Sequence, residues 1–483
     1  MKKITISKLF LYKKRFIIGY ILLGLAFIGL LFALPFIAQK GLTEAEMQSA
    51  ITSYNIEPDA VFSGNLVDLP YHLLQKLSIR LLGLTPFAIK LPSIIIGLLL
   101  GLMLILVLNR WFKNNVSLLA SVLMILTTPF LFLAGSGTPL IMLVFWPILL
   151  LWIGSKIQGE KRPEPIFCFL FAFMLFLSIF TPYMCYFALF CVIFVLTQPH
   201  LRFVIKQLPK IPLSIVGAVI LVGISILIVN AFNNPSATLD LIFANNFETS
   251  QYFNNISTAF GYILSWNHGI ESIFLTPLIS LPIFAIALVG LFSTTKGFFA
   301  SRNSIATLLI IFSIFISGFR PDAIIFIIFP VSILVAHGLK YILEKWYGLF
   351  PENPYARIFA LIPLSIMFGL IIIPGLFQYI NGYRYNPNVA NNFNNNLSII
   401  RKNLTNETII IEKDTTEYNF YRILEESTNL KISSEITEDI SGDIAILGKP
   451  ENAPEKYQLS RIITSEKSDN SDIIYLYTAK EGE

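Results

Sequence analysis

The feature that most constrains this chain is a series of long apolar runs. Of its 483 residues, 55% are hydrophobic and only 13% are charged. Runs of about twenty apolar residues recur along most of the sequence, and a helix of that length crosses the hydrocarbon core of a bilayer. A soluble domain would carry far more charge for its size. We therefore predict a multi-spanning α-helical protein that resides in a lipid bilayer.

Counting these runs predicts about 11 transmembrane helices. Their approximate bounds are 16–38, 86–108, 116–133, 139–155, 165–180, 183–197, 211–231, 273–293, 304–318, 322–339 and 357–379. Few residues separate the runs near Pro139, Pro182 and Arg320, so each of these places is a tight hairpin or one span counted as two. The first run is too long for the core of a signal peptide, so we expect it to remain as the first span.

Lysine and arginine are distributed unevenly over the connections between the runs. They are frequent before residue 16 and in every second connection after it, but absent near Gly137, near Pro182 and from 233 to 271. By the positive-inside rule, the N-terminus is cytoplasmic and residues 39–90 lie outside the plasma membrane. The net charge of +5 is scattered over short loops, which gives no indication of nucleic-acid binding.

The chain changes composition after the last apolar run and becomes rich in Asn, Glu, Lys, Ser and Thr. Short β-type runs occur at 407–412, 443–448, 460–464 and 472–478, and residues 416–427 have helical spacing. We expect two domains: a membrane domain at 1–380 and a small extracytoplasmic α/β domain at 381–483.

The polar segment at 39–90 is the main candidate for a functional site. It concentrates ionisable residues beside the membrane, where a charge needs water or a partner. These residues are Glu44, Glu46, Asp68, His72, Lys76, Arg80 and Lys90. A short helix is predicted at 44–54 with Thr43 as its N-cap, and there Glu44 can simply stabilise the helix dipole. The stretch LPYHLLQKLSIRLLGL predicts an amphipathic helix lying on the outer leaflet.

Three motifs in this region resemble a known family. They are LTEAE after the first span, DLPYH, and GLTPFAIKLPS at the start of the second span, with weaker echoes at 137–146 and at Phe319-Arg320-Pro321-Asp322. Their order is similar to that of the C superfamily of membrane glycosyltransferases (GT-C), in the branch of protein mannosyltransferases and lipid A aminoarabinose transferases. Ala45-Glu46 stands where the family has an Asp-Glu pair, Asp68-Leu69-Pro70 replaces a double proline, and Lys90 replaces an arginine.

The resemblance implies transfer of a sugar from a polyprenyl-phosphate donor to an extracytoplasmic lipid, glycan or protein acceptor. A carboxylate would take the proton of the acceptor hydroxyl, and cations would stabilise the leaving phosphate. Glu46 is the first choice for the base and Asp68 the second, while Glu44 could replace the missing aspartate.

Few cations are expected outside the membrane to bind the donor phosphate. Arg320 suits bidentate phosphate contacts, but it could equally pair with Asp322. Lys90 is the second candidate, although a lysine near a span end often only reaches to the interface. His72, Trp266 and His268 are further candidates for contacts to the donor. No Cys/His cluster has metal-ligand spacing, so we expect no cofactor, and dependence on a divalent metal is left open by the sequence.

Other classes of membrane protein remain open at this point. A transporter or flippase would be expected to have charges within its spans and internal repeats, and the sequence has neither feature clearly. A surface-polysaccharide polymerase or ligase would have its large outer loops later in the chain. A non-catalytic relative would bind the donor without turnover.

Overall fold

A computed structural model describes residues 15–56, 66–159, 165–207, 210–243, 248–264, 276–295, 301–349, 354–404, 407–413, 415–428, 430–434, 443–447, 456–464 and 473–479. It is mainly helical, with a small sheet near the C-terminus. The sequence prediction of this fold class is confirmed.

The first half of the membrane domain begins with a long helix, followed by two shorter ones in the polar segment. The helices are α1 (Arg15–Ala38), α2 (Glu44–Tyr54), α3 (Leu69–Leu82), α4 (Pro86–Trp111), α5 (Asn114–Ile125), α6 (Thr128–Gly135), α7 (Met142–Gly159), α8 (Pro165–Ser178), α9 (Met184–Thr197) and α10 (Pro199–Gln207). A 3₁₀ turn at Pro139–Ile141 leads into α7.

The second half continues with long helices and shorter connecting helices. They are α11 (Lys210–Asn233), α12 (Pro235–Phe243), α13 (Tyr252–Leu264), α14 (Leu281–Thr295), α15 (Ser301–Ser317), α16 (Ile328–Leu349) and α17 (Pro354–Tyr385). Two further 3₁₀ segments, Thr249–Gln251 and Pro321–Ile327, precede α13 and α16.

The structure supports several membrane spans without confirming their predicted number. Within the described residues, 6 helices are long and apolar enough to cross a membrane, or up to 8 if each of two bent helix pairs is one span. The remaining predicted runs coincide with shorter apolar helices of 10–17 residues, namely α8, α14 and most of α15. The protein is an integral membrane protein, but the count of 11 spans is not confirmed.

The C-terminal region forms a five-stranded mixed sheet. After α18 (Pro387–Ala390) and α19 (Asn396–Asn403), the elements are β1 (Thr408–Ile410), α20 (Thr416–Ser427), β2 (Lys431–Ser433), β3 (Ile444–Leu447), β4 (Tyr457–Thr464) and β5 (Ile473–Ala479). The strand order is β2-β1-β3-β5-β4. Strand β1 is parallel to its neighbours β2 and β3, and β5 is antiparallel to its neighbours β3 and β4. The four predicted strands and the helix are present, and β2 is an addition.

The polar segment packs between the membrane helices and the C-terminal region. Met47 and Ala50 of α2 share one buried cluster with Phe420 and Leu424 of α20. Helix α3 buries Tyr71, His72 and Gln75 and leaves its leucines after Leu69 exposed, with Leu81 at 74%. An exposed leucine face fits a helix at a membrane surface, as predicted.

Helices α14 and α16 cross at two glycines. A Cβ at Gly290 would overlap the backbone carbonyl of Leu334, and a Cβ at Gly338 would overlap the carbonyl of Ile286. Small residues at such positions let helix backbones approach closely in a membrane. This contact fixes the position of α16 and therefore of the 3₁₀ segment Pro321–Ile327, which directly precedes it.

We expect Gly290→Ala to lower the stability of the protein by about 1–3 kcal/mol, because the added methyl group must push the two backbones apart. Gly217→Ala in α11 is the matched control, since nothing lies within 4 Å of its added Cβ. That control should be neutral or slightly stabilising. Melting temperatures of the purified variants measure both effects, and equal melting temperatures would contradict this helix crossing.

Candidate active site

Glu46 closes a capping box at the start of α2. Its Oε2 accepts the Thr43 N–H at 2.8 Å, and the Thr43 hydroxyl accepts the Glu46 N–H at 3.2 Å. Two backbone donors at the helix start are satisfied in this way. The predicted N-cap and helix are confirmed, and Glu46 is 1% exposed.

The other oxygen of Glu46 joins a buried ion pair. Oε1 accepts the Gly137 N–H at 2.7 Å and lies 3.5 Å from Lys90 Nζ. Lys90 also donates to Gln39 Oε1 at 3.2 Å and stands over the Phe393 ring at 5.7 Å. Both charged groups are 1% exposed, so each depends on the other for compensation.

Gln75 connects the same elements through four hydrogen bonds. Its Nε2 donates to the carbonyls of Ile89 and Gly137, each at 3.0 Å. Its Oε1 accepts from Ser49 Oγ at 2.8 Å and from Ser53 Oγ at 2.6 Å. One buried amide therefore holds α2, α3, α4 and the Gly137 turn together.

His72 belongs to this buried network. Its Nδ1 lies 2.8 Å from Ser53 Oγ, and Ser53 gives its only hydroxyl proton to Gln75. The remaining consistent arrangement has Nδ1–H donating to Ser53, with the ring neutral. Burial lowers the pKa of His72 to about 4. A neutral ring adds no positive charge for a phosphate, so the prediction that His72 contacts the donor gains no electrostatic support.

Asp68 starts α3 in an unusual backbone conformation. Its φ of 54° and ψ of 27° lie in the left-handed region, which is uncommon for residues other than glycine. Its N–H donates to the Phe180 carbonyl at 2.7 Å. Tyr183, in the facing turn, has a φ of 66°, and its N–H donates to the Leu241 carbonyl. Within the described residues, these are the non-glycine positions with positive φ.

The carboxyl of Asp68 is buried and incompletely hydrogen-bonded. Its Oδ1 has no partner, although the Thr181 hydroxyl stabilises the charged form. Thr181 itself accepts the Trp146 indole N–H at 2.9 Å. Burial raises the pKa of Asp68 to about 7, against the opposing effects of the Arg320 charge and of Thr181. Backbone strain with a perturbed buried carboxyl is typical of functional sites.

Arg320 lies near enough to Asp68 for their charges to interact. Its Nε and Nη2 both donate to Asp322 Oδ2, at 3.1 and 2.8 Å. The side chain is 55% exposed, so the guanidinium keeps solvent-facing donors. The pair with Asp322, one of the two predicted alternatives, is present, and phosphate binding remains a prediction.

Motifs that are distant in the sequence meet at this site. Tyr71 of the DLPYH motif bonds Ser93 of the KLPS motif at 2.7 Å, and Ser93 donates to the Thr138 carbonyl at 3.3 Å. The charge of Arg320, from the last motif, lowers the pKa of Asp68. The predicted candidates thus form two adjacent groups, one around Glu46 and Lys90 and the other around Asp68 and Arg320.

The remaining predicted residues lie elsewhere. Glu44 is exposed in the first turn of α2 and accepts from Thr416 Oγ1 of α20 at 2.9 Å, which agrees with a structural role. Trp266 and His268 lie outside the described residues. Within the described ranges, no group of three or more His, Cys, Asp or Glu side chains could hold a metal ion.

The C-terminal region covers the Glu46–Lys90 group. Leu42 and Asn394 exchange two backbone hydrogen bonds, at 2.8 and 2.7 Å. Tyr54 donates to Glu426 at 2.5 Å, and Arg401 donates to the Leu84 carbonyl at 2.7 Å. These contacts join the last part of the chain to α2 and to the start of α4.

Several residues of the site were missed by the sequence analysis. Thr181 and Tyr183 flank Pro182, in a connection predicted only as a tight hairpin or as part of one span counted as two, and Gln39 directly follows the first span. Gln75 could have been identified from the sequence, because it lies four residues after Tyr71 and this spacing puts the two side chains on one face of the helix. The other residues carry no local signal, since their partners are distant in the sequence.

Fold and site together define an integral membrane protein with a buried carboxylate–cation pair, Glu46 and Lys90, and a second buried carboxyl, Asp68, that is influenced by the charge of the half-exposed Arg320. No model of a known protein family matches the chain, and no curated protein sequence matches it.

Solved structures do resemble it. ArnT of Cupriavidus metallidurans bound to undecaprenyl phosphate matches with a TM-score of 0.57 and 12% identity, over 96% of this chain and 98% of that one. The apo form of that ArnT gives a TM-score of 0.51 at 12% identity, over 95% and 98%. The apo oligosaccharyltransferase of Archaeoglobus fulgidus gives 0.50 at 11%, over 85% and 64%. The chain therefore shares the fold of these solved structures, in agreement with the resemblance of its motifs.

We expect Lys90→Met to destabilise the protein by about 3–5 kcal/mol, because it leaves Glu46 buried without a counter-charge. The double variant Glu46→Gln/Lys90→Met should recover part of this loss, because the unpaired charge is removed although the glutamine NH2 then faces one of the two backbone N–H groups. Lys340→Met is the matched control, since Lys340 and Glu344 form an exposed pair at 3.9 Å whose loss should cost less than about 0.5 kcal/mol. Denaturant titrations measure all three, and a double variant that is no more stable than Lys90→Met would argue against the pair.

Proposed function

We propose that this protein transfers a sugar from a polyprenyl-phosphate donor to an extracytoplasmic acceptor. The observation that carries the proposal is Asp68: a buried carboxyl with one unbonded oxygen, a pKa of about 7 and a neighbouring arginine. The fold shared with ArnT, whose solved structure holds undecaprenyl phosphate, supports a lipid-phosphate donor. The acceptor can be a lipid, a glycan or a protein.

In this mechanism Asp68 is the general base. As the acceptor oxygen forms a bond to the anomeric carbon, Oδ1 takes the hydroxyl proton. A base is most effective when its pKa is close to the working pH, and about 7 meets that condition. The bond from the anomeric carbon to the phosphate oxygen breaks at the same time, and polyprenyl phosphate leaves.

Arg320 stabilises the leaving phosphate in this proposal. Asp322 already engages Nε and Nη2, which orients the guanidinium and leaves Nη1 for an incoming anion. A cation placed where negative charge develops lowers the barrier to bond cleavage. Because Arg320 is half exposed, it is accessible to a headgroup from the membrane surface.

Glu46, the first choice from sequence, has a different environment. Three donors already engage its oxygens, and it compensates the charge of Lys90. These contacts favour a structural role, in which Glu46 fixes the segment that carries Asp68. The role of base for Glu46 stays a prediction, and the experiment below distinguishes the two carboxylates.

We expect Asp68→Asn to reduce transfer by about 10²–10⁴-fold, because the base is lost. Asparagine tolerates the left-handed conformation, so the protein should remain folded. The measurement is release of free polyprenyl phosphate from a panel of polyprenyl-phosphate sugars, with membrane lipids and a protein extract as acceptors. Asp443→Asn, an exposed position beside β3, is the matched control and should keep full activity.

The outcomes separate the candidate functions. An active Asp68→Asn protein together with an inactive, folded Glu46→Gln protein would assign the base to Glu46. Donor binding without release in the natural protein would indicate a non-catalytic relative. Accumulation of the donor across a proteoliposome membrane without release would favour a flippase.

A further inference from the structure

Two basic residues lie near each other where the first and last long apolar helices end. Lys40 follows the end of α1, and Arg384 lies in the last turn of α17. A Cβ at Gly135 would lie 2.7 Å from Pro35 Cγ and 3.1 Å from Tyr379 Oη, so α1 and α17 are level at this point. Lys40 and Arg384 each follow five residues later, roughly 7.5 Å further along.

The two cations are close enough to affect each other. Partial burial and the neighbouring charge of Arg384 both lower the pKa of Lys40. Arg384 Nε is buried without a hydrogen-bond acceptor, and its guanidinium stands 5.3 Å from the Tyr385 ring. Among the described residues, no carboxylate forms an ion pair with Arg384. The repulsion between like charges would be relieved by an anion between them.

The surface below this pair faces lipid. Only 22% of the apolar stretch of α1 and 11% of that of α17 are buried within the protein. Close to the pair, Ile37 of α1 is 45% exposed, and Ile373 and Phe377 of α17 are 68% and 67% exposed. Apolar helix faces topped by two cations match the two parts of an anionic lipid, its chains and its phosphate.

A purely structural explanation covers only part of this arrangement. A cation near the C-terminus of a helix interacts favourably with the helix dipole. That effect explains one basic residue on each helix. It gives no reason for placing the two cations near each other, where the charge of Arg384 lowers the pKa of Lys40.

We propose that Lys40 and Arg384 bind the headgroup phosphate of an anionic membrane phospholipid, with its acyl chains lying along the exposed faces of α1 and α17. This site is separate from the one around Asp68 and Arg320, and it does not depend on the proposed function. It is connected to the buried ion pair, because Gln39, next to Lys40, accepts a hydrogen bond from Lys90. Bound lipid would therefore stabilise the start of the polar segment.

The test compares lipid retention by the full-length protein. The protein is purified from nanodiscs that contain phosphatidylglycerol and phosphatidylcholine in equal amounts, and native mass spectrometry counts the lipids that remain bound. We expect at least five-fold preference for phosphatidylglycerol in the natural protein and no preference in Lys40→Gln/Arg384→Gln. Arg110→Gln/Lys113→Gln removes two exposed cations near the other end of α4 and should keep the preference.

Other results would overturn the proposal. Equal retention of both lipids by the natural protein would show that the headgroup charge is not recognised. Loss of the preference on adding inorganic phosphate would indicate a site for free anions, and stronger retention of a prenyl phosphate would indicate a different lipid. If the double variant does not fold, Arg384→Lys and Arg384→Gln decide, since the charge-retaining change should keep more of the preference than the neutral one.

Discussion

The structure around the polar segment depends on the buried ion pair between Glu46 and Lys90. An ion pair removed from water is stable only when its remaining donors and acceptors are also satisfied. Thr43 and Gly137 supply backbone N–H groups to Glu46, and Gln39 accepts from Lys90. These requirements fix α2, the end of α1, the start of α4 and the Gly137 turn relative to one another. The C-terminal region then closes over them through Phe393 and its neighbours.

Asp68 stands in contrast to Glu46, both of whose oxygens accept backbone hydrogen bonds. It is also a buried carboxyl, but one oxygen lacks a partner and its backbone is strained. Such a conformation persists only where the surrounding structure imposes it, and the bond from the Asp68 N–H to Phe180 contributes to that. We infer a division of roles, in which one carboxylate organises the segment and the other stays available for proton transfer. Arg320 limits how far the pKa of Asp68 rises.

Local patterns in the sequence predicted much of this fold. The apolar runs coincide with apolar helices, Thr43 caps α2, and the four β-type runs are strands, because these features depend on residues that are near in sequence. The span count could not be predicted, since hydropathy does not distinguish a short or bent helix from a full crossing. The motif alone is the reason why the sequence favours Glu46 over Asp68 as the base. Their environments differ through the Gly137 N–H bonded to Glu46, the Phe180 carbonyl bonded to the Asp68 N–H and the charge of Arg320, and sequence spacing does not reveal such interactions.

The most direct test of the central claim, that Asp68 is the base, is the pH dependence of sugar transfer between about pH 5 and 9. A base must be deprotonated, so activity should fall as the pH drops through about 7, the pKa of Asp68. The positive charge of Arg320 lowers that pKa, so in Arg320→Gln the fall should begin at a higher pH. Activity that stays constant down to pH 5, or an Arg320→Gln profile that does not move, would contradict the account.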